Sequence, residues 1–162
     1  MSWGRRDVQH GLHGVFRFVR TLAGWKRPRH HSCLLPRSVG RKCENFTITI
    51  NPTRTAVAIY PKADWDGQLE RLSHINPMDK IGLQYERYLM SVSFSGNSMD
   101  AQGRVLIPAK LRAKIGLTRD IVFVGLNHYI EVWDAEVYAK MEAQTEDEFD
   151  SLVDYVYEKY PS

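Results

Sequence analysis

The stretch Met99–Leu117 reads MDAQGRVLIPAKLRAKIGL. Its informative positions, in order, are Asp100, Gly103, Arg104, Pro108 and Arg112. Physically this is a tight loop that feeds a short strand and then a short helix. Gly103 permits a positive-φ turn, because glycine has no Cβ to clash. The carboxylate of Asp100 is short enough to hydrogen-bond nearby backbone and so cap the loop. Arg104 is then held at the junction of loop and strand, with Val105–Ile107 as the strand. Pro108 suits the first turn of a helix over Pro108–Ile115, where its missing N–H has no intrahelical partner anyway. That helix carries Lys110 and Arg112, and Gly116 is the residue expected just past its end.

Working outward, Ile121–Gly125 (IVFVG) and Tyr129–Trp133 (YIEVW) are two strands around the turn Leu126-Asn127-His128. Asp134 caps a helix from Ala135 to about Gln144. The acidic, amphipathic tail Glu146–Tyr160 reads as a last helix. Upstream, Phe46–Ile50 (FTITI) alternates and is β-branched, and Ala56–Tyr60 (AVAIY) is a second strand after a turn opened by Asn51-Pro52. Pro61 to about Leu72 is helical, with Trp65, Leu69 and Leu72 at spacings of four and three. Pro77-Met78-Asp79 opens another helix, whose apolar stripe is Ile81, Tyr85, Tyr88 and Leu89, and Ser91–Phe94 reads as a strand.

These elements repeat. AIYPKADWDGQLERL matches EVWDAEVYAKMEAQ, so that Tyr60 pairs with Trp133 and Trp65 with Tyr138, both at an offset of 73. FTITI likewise matches IVFVG. The chain therefore reads as two copies of one unit: strand, loop, strand, short helix, two strands, helix. The aromatics Trp65, Trp133 and Tyr138 are expected in the core.

The motif D-x-x-G-R-V-L-I-P-x-x-L-R, followed by IGL, VFVG and YIEVWD, resembles the MraZ family of bacterial regulators, built from two SpoVT/AbrB-like repeats. The resemblance covers roughly Tyr60–Gln144. It implies an α+β fold, with a swapped-hairpin β-barrel core and flanking helices. It also implies a ring-shaped homo-oligomer in the cytoplasm and nucleoid. Its partner would be double-stranded DNA, at short repeats upstream of a division and cell-wall gene cluster. By position the DNA-contacting arginine is Arg104, with Lys110 and Arg112 as further candidates. Asp100, Gly103 and Pro108 shape the loop. A plainer reading of the same residues leaves Arg104 paired to Asp100 in a simple turn, and Lys110 and Arg112 paired to neighbouring acids.

The resemblance implies the loop motif in both repeats, yet the first repeat lacks it. An offset of 73 places the missing Asp near position 27, in a stretch of different character: Gly24–Arg37, GWKRPRHHSCLLPR. Residues 1–43 carry ten Lys/Arg and one acid, a net of +9, and residues 44–162 carry twelve Lys/Arg and eighteen acids, a net of −6. One nucleotide out of register, synonymous codons for Ala23–Arg41 permit L-D-G-K-G-R-V-I-I-P-A-x-F-R-D-R-L-G-E. That string has the same Asp–Arg–Pro–Arg spacing, three residues earlier than the offset predicts. Residues 1–43 are therefore expected to come from a shifted frame (a sequencing error, an indel or a misassigned start), restored just before Glu44, and to be irregular.

Other readings of the basic segment are weaker. His30, His31, Cys33 and Cys43 lack paired metal-ligand spacing, so no metal is expected. A transit peptide fits only loosely. Translated as written, the segment would behave as a cationic arm with non-specific phosphate affinity.

The domain division that follows is 1–43, the anomalous segment; 44–92, the rest of the first repeat with linking helices; 93–145, the second repeat; and 146–162, the acidic helix. At 43 % hydrophobic residues the chain can bury a real core, and no apolar run approaches a membrane span. No nucleophile–base pair, phosphate loop or carboxylate dyad points to an enzyme. No cofactor or small-molecule ligand is evident. The leading function is a DNA-binding transcriptional regulator. The alternative is a degenerate oligomeric interaction module with weak or no DNA binding.

Overall fold

Alternating β-branched residues make the two hairpins that organise the fold. The computed structural model describes residues 45–100 and 104–161, together with the backbone of two short strands at 14–16 and 32–34. The elements run β1 (Gly14–Phe16), β2 (Ser32–Leu34), β3 (Phe46–Ile50), β4 (Val57–Tyr60), α1 (Lys62–Ser73) and α2 (Lys80–Ser91). They continue with β5 (Phe94–Asn97), β6 (Arg104–Leu106), α3 (Ala109–Ile115), β7 (Ile121–Gly125), β8 (Ile130–Asp134), α4 (Ala135–Asp147) and α5 (Phe149–Lys159). The result is an α+β fold.

One antiparallel sheet has the order β1-β7-β8-β4-β3-β5, and β2 pairs with β6 in a separate two-stranded sheet. Among the described residues the expected barrel is not closed. The large sheet ends at β1 and β5, which are not hydrogen-bonded to one another. The expectation that residues 1–43 are irregular also needs correction. Gly14–Phe16 pairs with β7, and Ser32–Leu34 pairs with β6, both antiparallel. Main-chain donors and acceptors are carried by every non-proline residue, so an open strand edge recruits backbone without regard to side-chain pattern.

The central strands are covered on both faces, which explains why every residue of β3, β4 and β8 is buried. On one face Ile48, Val57, Ile59, Phe123 and Val132 pack with Val105 and Leu111, which come from β6 and α3. On the other face lie Ala58, Tyr60 and Trp65 in one cluster, and Val122, Val124, Trp133 and Tyr138 in another. Alternation along each strand sorts its side chains between these faces. Helix α1 closes over Tyr60 through Trp65, with ring centroids 5.6 Å apart at 53°. Helix α4 closes over Trp133 through Tyr138, at 5.8 Å and 69°.

Strand β4 begins 73 residues before β8, but β3 begins 75 before β7. The difference is the loop. Residues 51–56 join β3 to β4, and the shorter 126–129 joins β7 to β8. The longer loop is stapled by Asn51. Its Oδ1 accepts from the amides of Thr55 (2.9 Å) and Ala56 (3.1 Å). Its Nδ2 donates to Glu131 Oε1 at 2.9 Å. Glu131 is itself buried, and its other oxygen accepts from Trp133 Nε1 at 2.7 Å. A buried carboxylate is tolerable only when paired in this way.

Some boundaries shift from expectation. The strand expected over Ser91–Phe94 starts at Phe94, because the amides of Val92 and Ser93 still bond back to Leu89 and Met90 at the end of α2. The strand expected over Val105–Ile107 runs Arg104–Leu106. The last helix starts at Phe149, since α4 continues to Asp147. Gly116 ends α3 in the left-handed region, φ 68°, where a side chain would be strained.

Asp134 caps α4 as expected and has a second task. Its Oδ1 accepts from the amides of Glu136 (3.1 Å) and Val137 (3.3 Å), and its Oδ2 from the Thr118 amide (3.1 Å) and hydroxyl (2.5 Å). Burial alone would raise its pKa, but the bonds from Thr118, Val137 and Glu136 outweigh burial and hold it below the ordinary carboxylate value. Asp134→Ala should therefore cost about 1–2 kcal/mol of stability, measured by urea unfolding at neutral pH. A folded pKa below the unfolded one stabilises above the unfolded value of about 3.9, and that contribution is lost as pH falls through the folded pKa. The gap between wild type and variant should hold from neutral pH down to that region and narrow below it. A pH-independent gap would remove the ionic part of this account.

Candidate nucleic-acid interface

The site rests on a small rigid platform. Val105, Ile107 and Leu111 are buried, which pins β6 and α3 to the core beneath the Asp100–Arg104 loop. Asp100 closes that loop from both ends. Its amide donates to the Arg104 carbonyl at 3.0 Å, and its Oδ1 accepts from the Arg104 amide at 2.8 Å. Its Oδ2 accepts from Arg104 Nε at 2.6 Å. The Asp100–Arg104 ion pair is thus present, with the arginine side chain 32 % exposed and the aspartate 38 %. One carboxylate fixes both the backbone and the side chain of the arginine. An Nε–H bond uses one of five guanidinium donors and orients the plane of the others. Gly103 lies outside the described residues.

Pro108 sits at the N-cap of α3, with φ −54° and ψ 136°. Its carbonyl accepts from the amides of Leu111 (3.0 Å) and Arg112 (3.1 Å). Lys110 turns to the protein, its Nζ donating to the Ser91 carbonyl at 2.7 Å. That bond ties the start of α3 to the electronegative end of α2. Arg112 is half-buried, and its Nε has no hydrogen-bond partner among the described residues. The structure therefore gives Arg104 and Lys110 defined partners and leaves one donor of Arg112 unused.

Two features escaped the sequence reading. One is the Asn51–Glu131–Trp133 network, signalled only by an acid inside the apolar run YIEVW. The other is a cleft near the 51–56 loop, lined by aromatic residues and two arginines. Its members are scattered along the sequence and carry no local motif.

Comparison with known proteins places the geometry in context. A family model described as "MraZ protein, putative antitoxin-like" matches residues 95–154. A protein named "Transcriptional regulator MraZ" from Lachnoclostridium phytofermentans is 35 % identical over 115 residues, covering 71 % of this chain and 77 % of that protein. The chain belongs to the MraZ family. A MraZ of the same name from Bordetella pertussis is 33 % identical over 116 residues, 72 % of this chain and 75 % of its own. One from Thermobifida fusca reaches 48 % over 64 residues, 40 % of this chain and 45 % of its own. The stretch matching the MraZ family model contains the whole Asp100–Arg112 motif, the β7–β8 hairpin and α4. Among the described residues no helix is long and apolar enough to cross a membrane.

Proposed function

We propose that this protein is a sequence-specific DNA-binding transcriptional regulator, working in the cytoplasm and nucleoid as a ring-shaped homo-oligomer. Its target is short repeated DNA upstream of a division and cell-wall gene cluster. The observation that carries the reading is the family match across the Asp100–Arg112 motif; the Asp100–Arg104 pair, which the plainer reading also expects, adds a double grip on the arginine. A side chain locked at the head of a strand loses little conformational entropy on binding, so it is pre-organised for a phosphate or for the O6/N7 edge of guanine. The names of the relatives support the same class. Arg112, half-buried on α3, is the second candidate contact through the outer end of its guanidinium, and Lys110 contributes by bracing α3. The sheet is built from two SpoVT/AbrB-like halves that exchange hairpins, which the 73-residue spacing of β4–α1 and β8–α4 supports.

The first repeat's own loop belongs in the window 24–41, read one base out of register. The two extra residues of the 51–56 loop favour this. They move the expected motif two residues earlier than a uniform offset of 73, and so account for two of the three residues of mismatch.

The alternative reading, an oligomeric module with weak or no DNA binding, draws on the net charge of −6 after residue 43. A gel shift of the full chain against the DNA upstream of its own gene separates the two. A discrete, salt-sensitive complex that outlasts competitor DNA is expected. Binding indistinguishable from that to random duplex would favour the module.

A further inference from the structure

Two helices, α2 and α5, bury none of their side chains. Helix α5 is nonetheless amphipathic. Phe149, Leu152, Val153, Val156 and Tyr160 form one stripe, and Asp150, Asp154 and Glu158 follow its flank at intervals of four. Phe149 is 59 % exposed and Val156 50 %. Residues 146–162 carry six acids and one lysine, a net of −5. An isolated helix shorter than about 12 residues is marginal in water, so this stripe calls for a surface to cover it.

The body of the protein offers a surface of the opposite character. A cleft of about 510 Å³ opens between α1, α2 and the 51–56 loop. Its walls include Tyr60, Trp65, Tyr85 and Tyr129, and Arg54 and Arg71 also line it. Arg54 and Tyr88 are shared with a second hollow of about 420 Å³ that reaches Lys114. Lys114 Nζ lies 5.3 Å from the Tyr88 ring centroid. Among the described residues, none of Arg54, Arg71 and Lys114 is in an ion pair. Arg54 is also held in the left-handed region, φ 59°. Such a conformation is unfavourable in a non-glycine residue and persists only where its surroundings impose it. Here the Asn51 staple imposes it, with the Arg54 amide donating to the Asn51 carbonyl at 2.9 Å.

We infer that the acidic, aromatic helix α5 of one copy docks into this aromatic, cationic cleft of a neighbouring copy. The inference rests on the self-assembly proposed above and supplies its contact. Charge selects the occupant. The helix segment carries −5 of the −6 found after residue 43, so the rest of that stretch is nearly neutral, and the helix is attracted where Arg54, Arg71 and Lys114 gather. Pattern selects it too: anchors at i, i+3, i+4 and i+7 are what a helix-in-groove contact requires. Helix and cleft are different surfaces, so the contact is heterologous. Heterologous contacts propagate head to tail and form a ring when the rotation closes.

The test uses full-length chains and light scattering after size exclusion, over a range of concentrations. One variant carries Asp150→Lys, Asp154→Lys and Glu158→Lys; another carries Arg54→Glu and Arg71→Glu. Each alone should associate at least tenfold more weakly than wild type. Mixed in equal amounts they should assemble again, because the reversed helix of one then fits the reversed cleft of the other. Leu152→Glu with Val156→Glu should abolish assembly through loss of the apolar stripe, with helical content retained by circular dichroism. Wild type that stays monomeric throughout overturns the self-assembly reading together with this contact. Wild type that assembles, with both charge variants assembling as tightly, leaves self-assembly standing and overturns this contact alone. Weakened variants that mixing does not restore overturn it as well.

Discussion

Replacing Arg104 with alanine should weaken binding to the upstream DNA by about 5- to 150-fold per contacting loop, the equivalent of 1–3 kcal/mol for a bidentate guanine contact. If the arginine also neutralises a phosphate, the slope of log K against log salt should flatten by about 0.9 for each phosphate lost. Arg104→Lys separates the two roles. Lysine keeps the charge and loses the planar fork, so it should restore the salt slope without restoring discrimination between bases. The fold should tolerate either change. The Asp100–Arg104 pair is partly exposed, and such pairs contribute about 0–1 kcal/mol. Fluorescence anisotropy with target and scrambled duplexes at several salt concentrations reads all of this. Unchanged affinity and slope in Arg104→Ala would return the loop to a simple turn. Asp100→Asn gives the positioning control: it keeps an acceptor for the Arg104 amide but removes the charge that holds Nε.

What could be read in the sequence was local. FTITI and IVFVG form β3 and β7 over the residues expected, and the cap at Asp134 and the stop at Gly116 follow from single residues. The Asp100–Arg104 loop spans five residues, so its carboxylate and guanidinium could be placed together before any fold was known. Sheet closure was not legible in the same way. Strand periodicity reports which face is buried and says nothing about which edges meet. The edges of β7 and β6 instead took up backbone from the segment before Glu44, where no strand was expected.

The cleft is the opposite case. Arg54 and Tyr129 are 75 residues apart and share its wall because β4 pairs with β8, a pairing that the Asn51–Glu131 bond staples. Nothing in either short stretch announces the other. The stripe on α2 was legible as a pattern, but periodicity does not say what covers it. Ile81 stands 81 % exposed and Tyr85 57 %.

The segment before Glu44 carries the second large expectation. If residues 1–43 are out of register, the chain as written has one Arg loop per copy where its two-unit plan calls for two. Restoring the frame should then do more than add one contact. Two loops on one rigid sheet turn the second binding event into an intramolecular one, and effective concentration of that kind raises affinity by about 10²- to 10⁴-fold. The net charge argues for the same ordering. The +9 of the present segment would go, and with it the non-specific phosphate affinity of a basic arm. Specific binding should therefore rise while binding to random duplex falls, a combination that a basic arm cannot produce. The nucleotide sequence comes first. The codons for Gly24–Arg37 must spell D-G-K-G-R-V-I-I-P-A-x-F-R one base on, and if they do not, the idea ends there. If they do, the frame-restored chain and the present chain are titrated side by side on target and random DNA. Equal specificity ratios would mean that the first loop takes no part in recognition. A higher ratio in the restored chain, removed again by replacing its new loop arginine, would assign half of the DNA-reading surface to the stretch that in this frame reads GWKRPRHHSCLLPR.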